Sequence, residues 1–389
     1  MTDHVTCGAF GRCGGCRYGA EPYEAQLAAK KQELEGLFRK VLPEEFFACE
    51  SYEGMLGSPV QTGYRNKMEF SFGNESKDGP LTLGLHRKGS FYDIIPVPDC
   101  LIAPQDFGTI CAAVQAYFRE KGVPFLHKRS HQGSLRHLVL RSSLSGAVMV
   151  NLVTVSDYHP EPDFTEMLLA LPLKGRISGI LHTENNSLAD AVIPEKVNLL
   201  WGEDLLSETV LGLTFRISPF SFFQTNTRGA EVLYGKAREY IGAIDGCTLY
   251  DLYSGTGTIA QVLAPAAKEV IGVEIVKEAV AAARENAALN GLSNCRFLAG
   301  DVLKELDAIE EVPDMIVMDP PRDGVNPKAL SKIMGKGARN LLYISCKPSS
   351  LVRDIPALAL GGYEVKKLCF VDMFPNSANC EAIALLSRR

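Results

Sequence analysis

No run of about 18 uninterrupted apolar residues occurs, so no segment is built to cross a membrane as a helix. The opening residues, Met1-Thr-Asp-His-Val-Thr-Cys7, lack the basic and apolar regions of a secretory leader, and a cytoplasmic location is expected. Internal repeats and low-complexity tracts are also missing, which leaves an ordinary globular chain. Nor is there an excess of positive charge. Against 46 Asp and Glu stand 40 Lys and Arg, a net charge of −6, which by itself counts against a nucleic-acid partner because phosphate neutralisation needs cations gathered on one surface. The 11 cysteines are odd in number and unevenly spread, so a disulfide framework is not expected. Metal or catalytic use is expected for some of them and burial for most of the others.

What is present is a chain of 389 residues, 46% apolar and 22% charged, enough for two or three domains with sizeable cores. Its cations are clustered locally. Between Lys121 and Arg141 lie Lys128, Arg129 and Arg136, three histidines (His127, His131, His137) and no acid. From Arg322 to Arg353 seven Lys and Arg face the single acid Asp323. Either stretch alone reads as a solvated face. Together, around a candidate active site, they weaken the solvated-face reading and qualify the argument from net charge.

The chain divides by pattern. Residues 1–20 form a Cys- and Gly-rich loop without periodicity, and residues 21–49 hold an amphipathic helix and a linker. In that helix Leu27, Leu34, Leu37 and Phe38 fall near one face and Pro22 suits the first turn. Residues 50–216 switch to short alternating or β-branched runs such as Lys67–Phe72, Leu135–Arg141 and Val148–Val155, which predict a mostly antiparallel, β-rich domain with a few helices. Residues 217–389 become regular. Strands are expected at Thr248–Leu252, Val270–Ile275, Arg296–Leu298, Met315–Met318 and Leu341–Ile344, alternating with helical patterns such as Lys277–Asn290. That alternation predicts an α/β domain with a parallel sheet covered on both faces. Glu364–Val371 and Ala382–Leu386 have no helix between them and are expected to pair antiparallel.

The run Asp251-Leu-Tyr-Ser-Gly-Thr-Gly257 closes the first of these strands, and Gly255 and Gly257 let the backbone turn tightly against a ligand at the carboxyl edge of the sheet. The third glycine of the dinucleotide pattern is replaced by Ala260, which that pattern tolerates, so the loop alone leaves nicotinamide and adenosyl cofactors open. Glu274, ending the second strand, is placed to take both hydroxyls of a ribose, and Asp301, after the third, to meet an adenine edge. Asp251 at the first strand, Glu274 at the second and Asp319-Pro-Pro-Arg322 after the fourth together resemble the class I S-adenosylmethionine methyltransferases, which have a Rossmann-like fold.

Cys346, in Tyr343-Ile-Ser-Cys-Lys-Pro-Ser-Ser350, follows the fifth strand at the ligand edge, with Lys347 beside it to favour a thiolate. A cysteine at random is more often a packing residue. Its strand-end position beside a methyl-donor fold favours nucleophilic chemistry instead. C5 of a pyrimidine is a weak nucleophile; a thiolate adding to C6 makes C5 enolate-like, and after methylation a base removes the C5 proton and the thiol leaves. Glu381, at the entrance to the last apolar strand, is the candidate base. At the other end of the chain, Cys7, Cys13 and Cys16 in a glycine-rich loop suit a metal centre, either zinc or an iron–sulfur cluster. The fourth ligand must come from afar.

Four blocks give the chain a close resemblance to the RNA uracil-C5 methyltransferases, the family that makes 5-methyluridine in large-subunit rRNA and tRNA. They are Ser221-Phe-Phe-Gln-Thr-Asn226, Asp251 to Gly257, Asp319-Pro-Pro-Arg-Asp-Gly324, and Tyr343 to Asp354 with the Asp372 to Glu381 segment. The resemblance implies that Gln224, Tyr253, Glu274 and Asp319 contact S-adenosylmethionine, that Cys346 is the nucleophile and that Glu381 is the base. It also implies a [4Fe-4S] cluster, with Cys100 matching the distant ligand and Cys49 the competitor. RNA is then the partner, large-subunit (23S) rRNA ahead of tRNA, and the enzyme is expected to act as a monomer. Arg65, Lys67, Lys128, Arg129 and Arg136 of the β-rich domain are expected to hold RNA while the target base is drawn out of its stack. The chain begins directly with the cysteine loop, so recognition is expected to come from these domains rather than from an additional N-terminal barrel.

One departure concerns Asn376 and Asn379, which stand where the family commonly has histidines and which bear on base orientation and substrate choice. Rival readings meet specific residues. A cytosine-C5 enzyme typically carries a second cysteine where Arg322 stands, an amino-group methyltransferase resembles an Asn-Pro-Pro-aromatic motif and needs no thiol, and a non-catalytic Fe–S protein has no use for Cys346 and Glu381.

Overall fold

The computed structural model describes residues 7–19, 21–242 and 244–389. Residues 1–6 and 20 of the expected cysteine loop lie outside the described residues. In chain order the elements of the first half are α1 (Tyr23–Phe38), β1 (Tyr52–Leu56), β2 (Lys67–Gly73), β3 (Thr82–His86), β4 (Ile94–Ile95), α2 (Gln105–Lys121), β5 (Leu135–Ser142), β6 (Ala147–Thr154), α3 (Pro162–Leu169), β7 (Arg176–Glu184) and β8 (Lys196–Gly202). The second half continues with β9 (Leu206–Val210), β10 (Leu213–Ile217), α4 (Thr227–Ile241), β11 (Ile244–Leu252), α5 (Thr258–Leu263), β12 (Ala267–Glu274), α6 (Lys277–Leu289), β13 (Cys295–Ala299) and α7 (Val302–Ala308). It closes with β14 (Met315–Met318), α8 (Pro327–Gly335), β15 (Asn340–Ser345), α9 (Pro348–Leu360), β16 (Tyr363–Val371) and β17 (Glu381–Arg388).

The chain folds into two units, one of residues 1–22, 60–208 and 216–220, the other of residues 23–59, 209–215 and 221–389. The first carries a seven-stranded sheet in the order β4-β3-β2-β5-β6-β7-β8, antiparallel except for the β6–β7 pair. All eight residues of β5 and of β6 are buried. Near-continuous apolar runs such as Val148-Met-Val150 therefore stand where both faces of a strand are covered. Helices α2 and α3 supply Phe107, Ile110, Val114, Phe118, Phe164 and Leu168 to that core, and Phe70 and Phe72 lie in it as well.

The second unit carries an eight-stranded sheet in the order β1-β16-β17-β15-β14-β11-β12-β13. β11 to β15 are parallel, and β17 runs antiparallel between β15 and β16, as the missing helix between the last two strands predicted. The run Met315-Ile-Val-Met318 is buried throughout, and full burial of each such side chain is worth about 1.5–3 kcal/mol.

The division differs from the sequence expectation at residues 50–59 and 209–215, which belong with the second unit, and at residues 217–220, which belong with the first. Residues 50–59, expected in the β-rich domain, belong with the second unit, because β1 extends the large sheet by pairing in parallel with β16. Helix α1 joins the same unit, and its buried stripe is Gln26, Lys30, Leu34 and Phe38 rather than a purely leucine face. Half of that stripe is polar because it meets polar partners, described below.

The basic stretch 121–141 also has internal work. Arg136, expected to hold RNA, is buried and donates to the carbonyls of Asn185, Ser187 and Ala189 at 2.9, 2.6 and 2.6 Å. Lys128 pairs with Asp190 at 2.6 Å and sits 4.0 Å over the Phe91 ring, Lys121 pairs with Glu161 and Asp163, and Arg141 donates to the Ser218 carbonyl at 2.6 Å. Lys67 pairs with Glu69 at 2.9 Å, whereas Arg129 lies exposed over the Tyr92 ring at 5.2 Å. A run of cations without nearby acids in sequence therefore acquired its acids from elsewhere in the fold.

Candidate active site

Strand register assembles the site. Parallel pairing of Met318 with Leu252 and Tyr343, and antiparallel pairing of Ser345 with Ala382, bring the ends of β11, β14, β15 and β17 to one edge of the sheet. Asp319, Cys346 and Glu381 are the residues at three adjacent strand ends. Because β17 runs the other way, its first residue, Glu381, comes to the edge where β15 finishes, one register step beyond the Ser345–Ala382 pair.

The electrostatics follow from that convergence. Burial pushes the half-buried Cys346 thiol up to about 11, and the carboxylates of Glu381 and Asp319 add to the rise. The opposing cation is Arg322, not Lys347. Lys347 was expected to favour the thiolate; its side chain is exposed, and its carbonyl accepts from Ser345 Oγ at 2.9 Å and the Ser350 amide at 2.7 Å. Lys347 thus shapes the turn rather than the thiol's charge. Glu381 is 2% exposed, and burial followed by repulsion from Asp319 raises its carboxyl well above the usual range, with Arg322 again opposing. Burial lifts Asp319 to about 7. Crowding of carboxyl groups in a site of low polarity holds protons on groups that would be ionised in water.

Two further residues belong here: Tyr234, which sequence reasoning missed, and Asp251, which it noted as the acid heading the glycine run without assigning it a site role. Tyr234 of α4 is buried, its phenol held far above its usual range by burial and then by Asp319 and Glu381, and it is bonded to Gln224. Asp251 is fully buried and raised to about 8 by burial, with Asp319 and Glu274 as further causes. Its Oδ2 accepts from the Ala260 amide at 2.9 Å, while Oδ1 and the neighbouring Ser254 Oγ are buried without a partner. The signal for Asp251 was its place at the head of the glycine run. For Tyr234, on an amphipathic helix, there was none.

The glycine loop is built as its residues require. Gly255 and Gly257 lie at φ +53° and +73°, and a Cβ on Gly257 would come within 2.7 Å of the Phe297 ring, whereas a Cβ on Gly255 would face open space. Tyr253 is held at φ +66° without being glycine, and burial, then Asp301 and Asp354, raise its phenol to about 12. Glu274 accepts from the Gly255 amide at 3.0 Å through Oε2 and from the Val276 amide at 2.9 Å through Oε1, so it shapes the loop. Asp301 caps α7, accepting from the Leu303 amide at 2.7 Å. Phe222 is 69% exposed and is not a core residue.

The segment leading to Glu381 is clamped by α1. Lys30 and Asp372 form an ion pair at 2.8 Å with both side chains buried, Lys30 also donates to the Phe374 carbonyl at 3.1 Å, and Tyr23 donates to Asp372 at 3.0 Å. Gln26 and Asn376 exchange bonds, side chain to side chain at 3.1 Å and Asn376 amide to Gln26 Oε1 at 2.9 Å, which holds Asn376 at φ +67°. Asn226 caps α4 through Gly229 at 2.9 Å and donates to the Met373 carbonyl at 2.7 Å, tying the Gln224 segment to the same loop. Asn379 accepts from Arg322 at 3.4 Å. The two asparagines therefore have distinct places: Asn376 fixes the loop backbone, and Asn379 accepts from the cation that faces Cys346 and Glu381.

The four cysteines Cys7, Cys13, Cys16 and Cys100 lie in the β-rich unit, all half-buried and free. Burial raises Cys16 to about 12, followed by the charges of Cys100, Cys13 and Cys7, while Arg65 opposes. Cys13 and Cys100 are raised by burial and by the other thiols, with backbone amides opposing: Gly15 at Cys13, bonded at 3.3 Å, and Ile102 and Ala103 at Cys100. Four free thiols therefore lie within each other's fields, two of them met by backbone amides, and thiolate is a ligand type that metal centres take. Cys49, the alternative fourth ligand, is exposed in the other unit, where its thiol donates to the Phe46 carbonyl at 3.2 Å.

A sheet that is parallel from β11 to β15 with β17 antiparallel, a glycine turn after β11 and acids at successive strand ends make up the Rossmann-like fold of the class I methyltransferases. Residues 203–389 match the family model described as tRNA (Uracil-5-)-methyltransferase. Proteins of Clostridium tetani and of Caldanaerobacter subterraneus subsp. tengcongensis, each described as an uncharacterized RNA methyltransferase, are 45% and 46% identical, each over 98% of this chain and 84% of the relative. The tRNA (uracil-54, C5)-methyltransferase of Pyrococcus abyssi, solved with S-adenosyl-L-homocysteine, has the same fold, with a TM-score of 0.78 over 96% of this chain and 86% of that one at 24% identity. The chain belongs to the RNA (uracil-5-)-methyltransferase family. Among the described residues no helix is long and apolar enough to cross a membrane.

Proposed function

We propose that the protein methylates a uridine at C5 in RNA by covalent addition of Cys346 to C6, with large-subunit (23S) rRNA as the first substrate to test and tRNA, which the matched family's description favours, as the second. The observation that carries this reading is the convergence of Cys346, Asp319 and Glu381 at adjacent strand ends, faced by Arg322. Gln224, Tyr253, Gly255, Gly257, Glu274, Asp301 and Asp319 would hold S-adenosylmethionine. The buried Asp251 Oδ1 and Ser254 Oγ, both without partners, and the open face of Gly255 support a polar ligand at this loop. When bound, the cofactor supplies the electrophilic methyl group that C5 takes up.

The chain's own residues do the rest. Cys346 gives its proton to solvent on substrate entry, with Arg322 offsetting the carboxylates that oppose its ionisation, and the thiolate adds to C6 with the electron pair moving towards C5 and the O4 carbonyl. Glu381, ionised in the complex, removes the C5 proton; the C5–C6 double bond re-forms and the thiolate leaves. Burial that lifts both Cys346 and Glu381 above their ordinary ranges also keeps water from competing at the site. The enzyme is proposed to work as a cytoplasmic monomer. Incubation with S-adenosylmethionine and either 23S rRNA or tRNA transcripts, followed by nucleoside mass spectrometry, is expected to give 5-methyluridine in the rRNA. Its formation in tRNA alone would establish the second reading, and its absence from both would overturn the proposal.

We further propose that Cys7, Cys13, Cys16 and Cys100 hold a [4Fe-4S] cluster. Because the base methylation consumes no electrons, the cluster serves to fix the N-terminal loop to the β-rich unit and to position RNA. Anaerobically purified protein is expected to contain about four iron and four sulfide per chain. One equivalent of zinc on the same thiols would overturn the assignment.

A further inference from the structure

A second group of ligand-type side chains lies in the β-rich unit, away from the cysteines in sequence. His159, His182 and Glu184 offer one donor atom each within 4.8 Å of one another. His182 and Glu184 are two apart on β7 and therefore project from the same face, opposite Leu152 and Thr154 of β6. His159 comes from the segment that follows β6, and its ring stands edge-on to that of His182 at 5.7 Å between centroids.

The hydrogen bonds around these residues leave suitable atoms open. Thr154 Oγ1 lies 2.8 Å from the Val155 carbonyl, 3.3 Å from that of Tyr158 and 2.7 Å from His182 Nε2; in the tautomer in which the hydroxyl proton goes to a carbonyl, Nε2 carries the imidazole proton and donates to Oγ1. The Nδ1 lone pair of a neutral imidazole is then available. A ligating histidine characteristically donates its second ring nitrogen to a neighbour that fixes tautomer and orientation, and Thr154 does this here. On Glu184, both Lys196 at 3.2 Å and Asn198 at 3.1 Å bond to Oε1, which fixes the carboxylate and leaves Oε2 for another ligand. Lys196 is itself exposed on a flexible stem.

We propose that His182 Nδ1, Glu184 Oε2 and a ring nitrogen of His159 form a site for a divalent transition-metal ion of the zinc type, closed by solvent and distinct from the cysteine centre. Two imidazoles and one carboxylate are the donor set that such ions take in preference to magnesium or calcium. Bonds of about 2.0–2.2 Å place neighbouring ligand atoms roughly 3–4 Å apart, a short contraction that the exposed His159 can supply. The ion would pin the β6–α3 connection to the end of β7 and counter the negative charge of Glu184.

The test is calorimetric titration of zinc chloride into the holoprotein, with the cysteine centre assembled, for the wild type, His159→Ala and Glu184→Gln. Zinc bound by any thiol is common to all three. His159 is exposed, so its removal leaves the fold intact. The expected result is one equivalent bound by the wild type that is weakened at least about tenfold in both variants, the loss typical when one of three protein ligands is removed. Equal zinc stoichiometry and affinity in the wild type and His159→Ala would overturn the proposal.

Discussion

Cys346→Ala is expected to lower methyl transfer by at least about 10⁴-fold while leaving S-adenosylmethionine binding within a factor of two or so of the wild type, because loss of a covalent nucleophile removes the reaction path and not merely a contact. No nearby thiol replaces it. Cys380 precedes Glu381 in sequence, but it is 4% exposed, lies in the core behind the sheet edge and is pushed by burial to about 12. The cofactor loop hangs on Glu274 and on Asp251, neither of which the substitution touches. Single-turnover methylation and equilibrium dialysis on the same preparation separate the two effects. Parallel loss of both would mean that the thiol shapes the cofactor site instead of attacking the base.

Glu381→Gln is expected to behave differently. Turnover should fall by about 10²–10⁴-fold, the contribution of a positioned general base, yet the covalent RNA complex should accumulate. Once C5 carries its methyl group, the C5 proton has to leave before the thiol can, and an amide does not accept it. The same change removes one of the carboxylates that disfavour ionisation of Cys346, so the sign of its effect on the addition step is neutral to favourable. Denaturing gel electrophoresis of enzyme with labelled RNA reads the complex directly. Product release at the wild-type rate would assign the proton to another group, with Asp319, lifted to about 7, the next in reach.

Much of this site could be read from the sequence because its residues sit at strand ends. Strand ends are marked locally, by an apolar run that stops at an acid, a glycine or a cysteine. Asp319, Cys346 and Glu381 each follow or open such a run, and register then brings them together. The β-rich unit and the terminal antiparallel pair were equally legible from alternation and from the missing helix. What escaped was whatever depends on partners far apart in the chain. Lys30 on a helix face reads as solvated until Asp372 meets it, and Gln26 gives no hint of Asn376. Arg136 looked like an RNA-facing cation because the three carbonyls it satisfies belong to a distant loop. Tyr234 has the spacing of a core residue and is one; only packing shows that its phenol reaches two acids. Lys347 was chosen as the thiol's cation on adjacency in sequence, but a side chain beside another on a tight turn points elsewhere, and Arg322 comes in from the β14 end. The strand at Tyr52–Leu56 was assigned to the wrong unit for the same reason, since nothing local says that a five-residue strand pairs with one some 300 residues later.

The measurement that bears most directly on the central claim is peptide-mapped mass spectrometry of the complex trapped by Glu381→Gln on uridine-containing RNA after nuclease and protease digestion. The account predicts that the peptide containing Cys346 carries one nucleotide whose mass includes the added methyl group. A nucleotide on any other cysteine, or free 5-methyluridine formed with no adduct on Cys346, would contradict it.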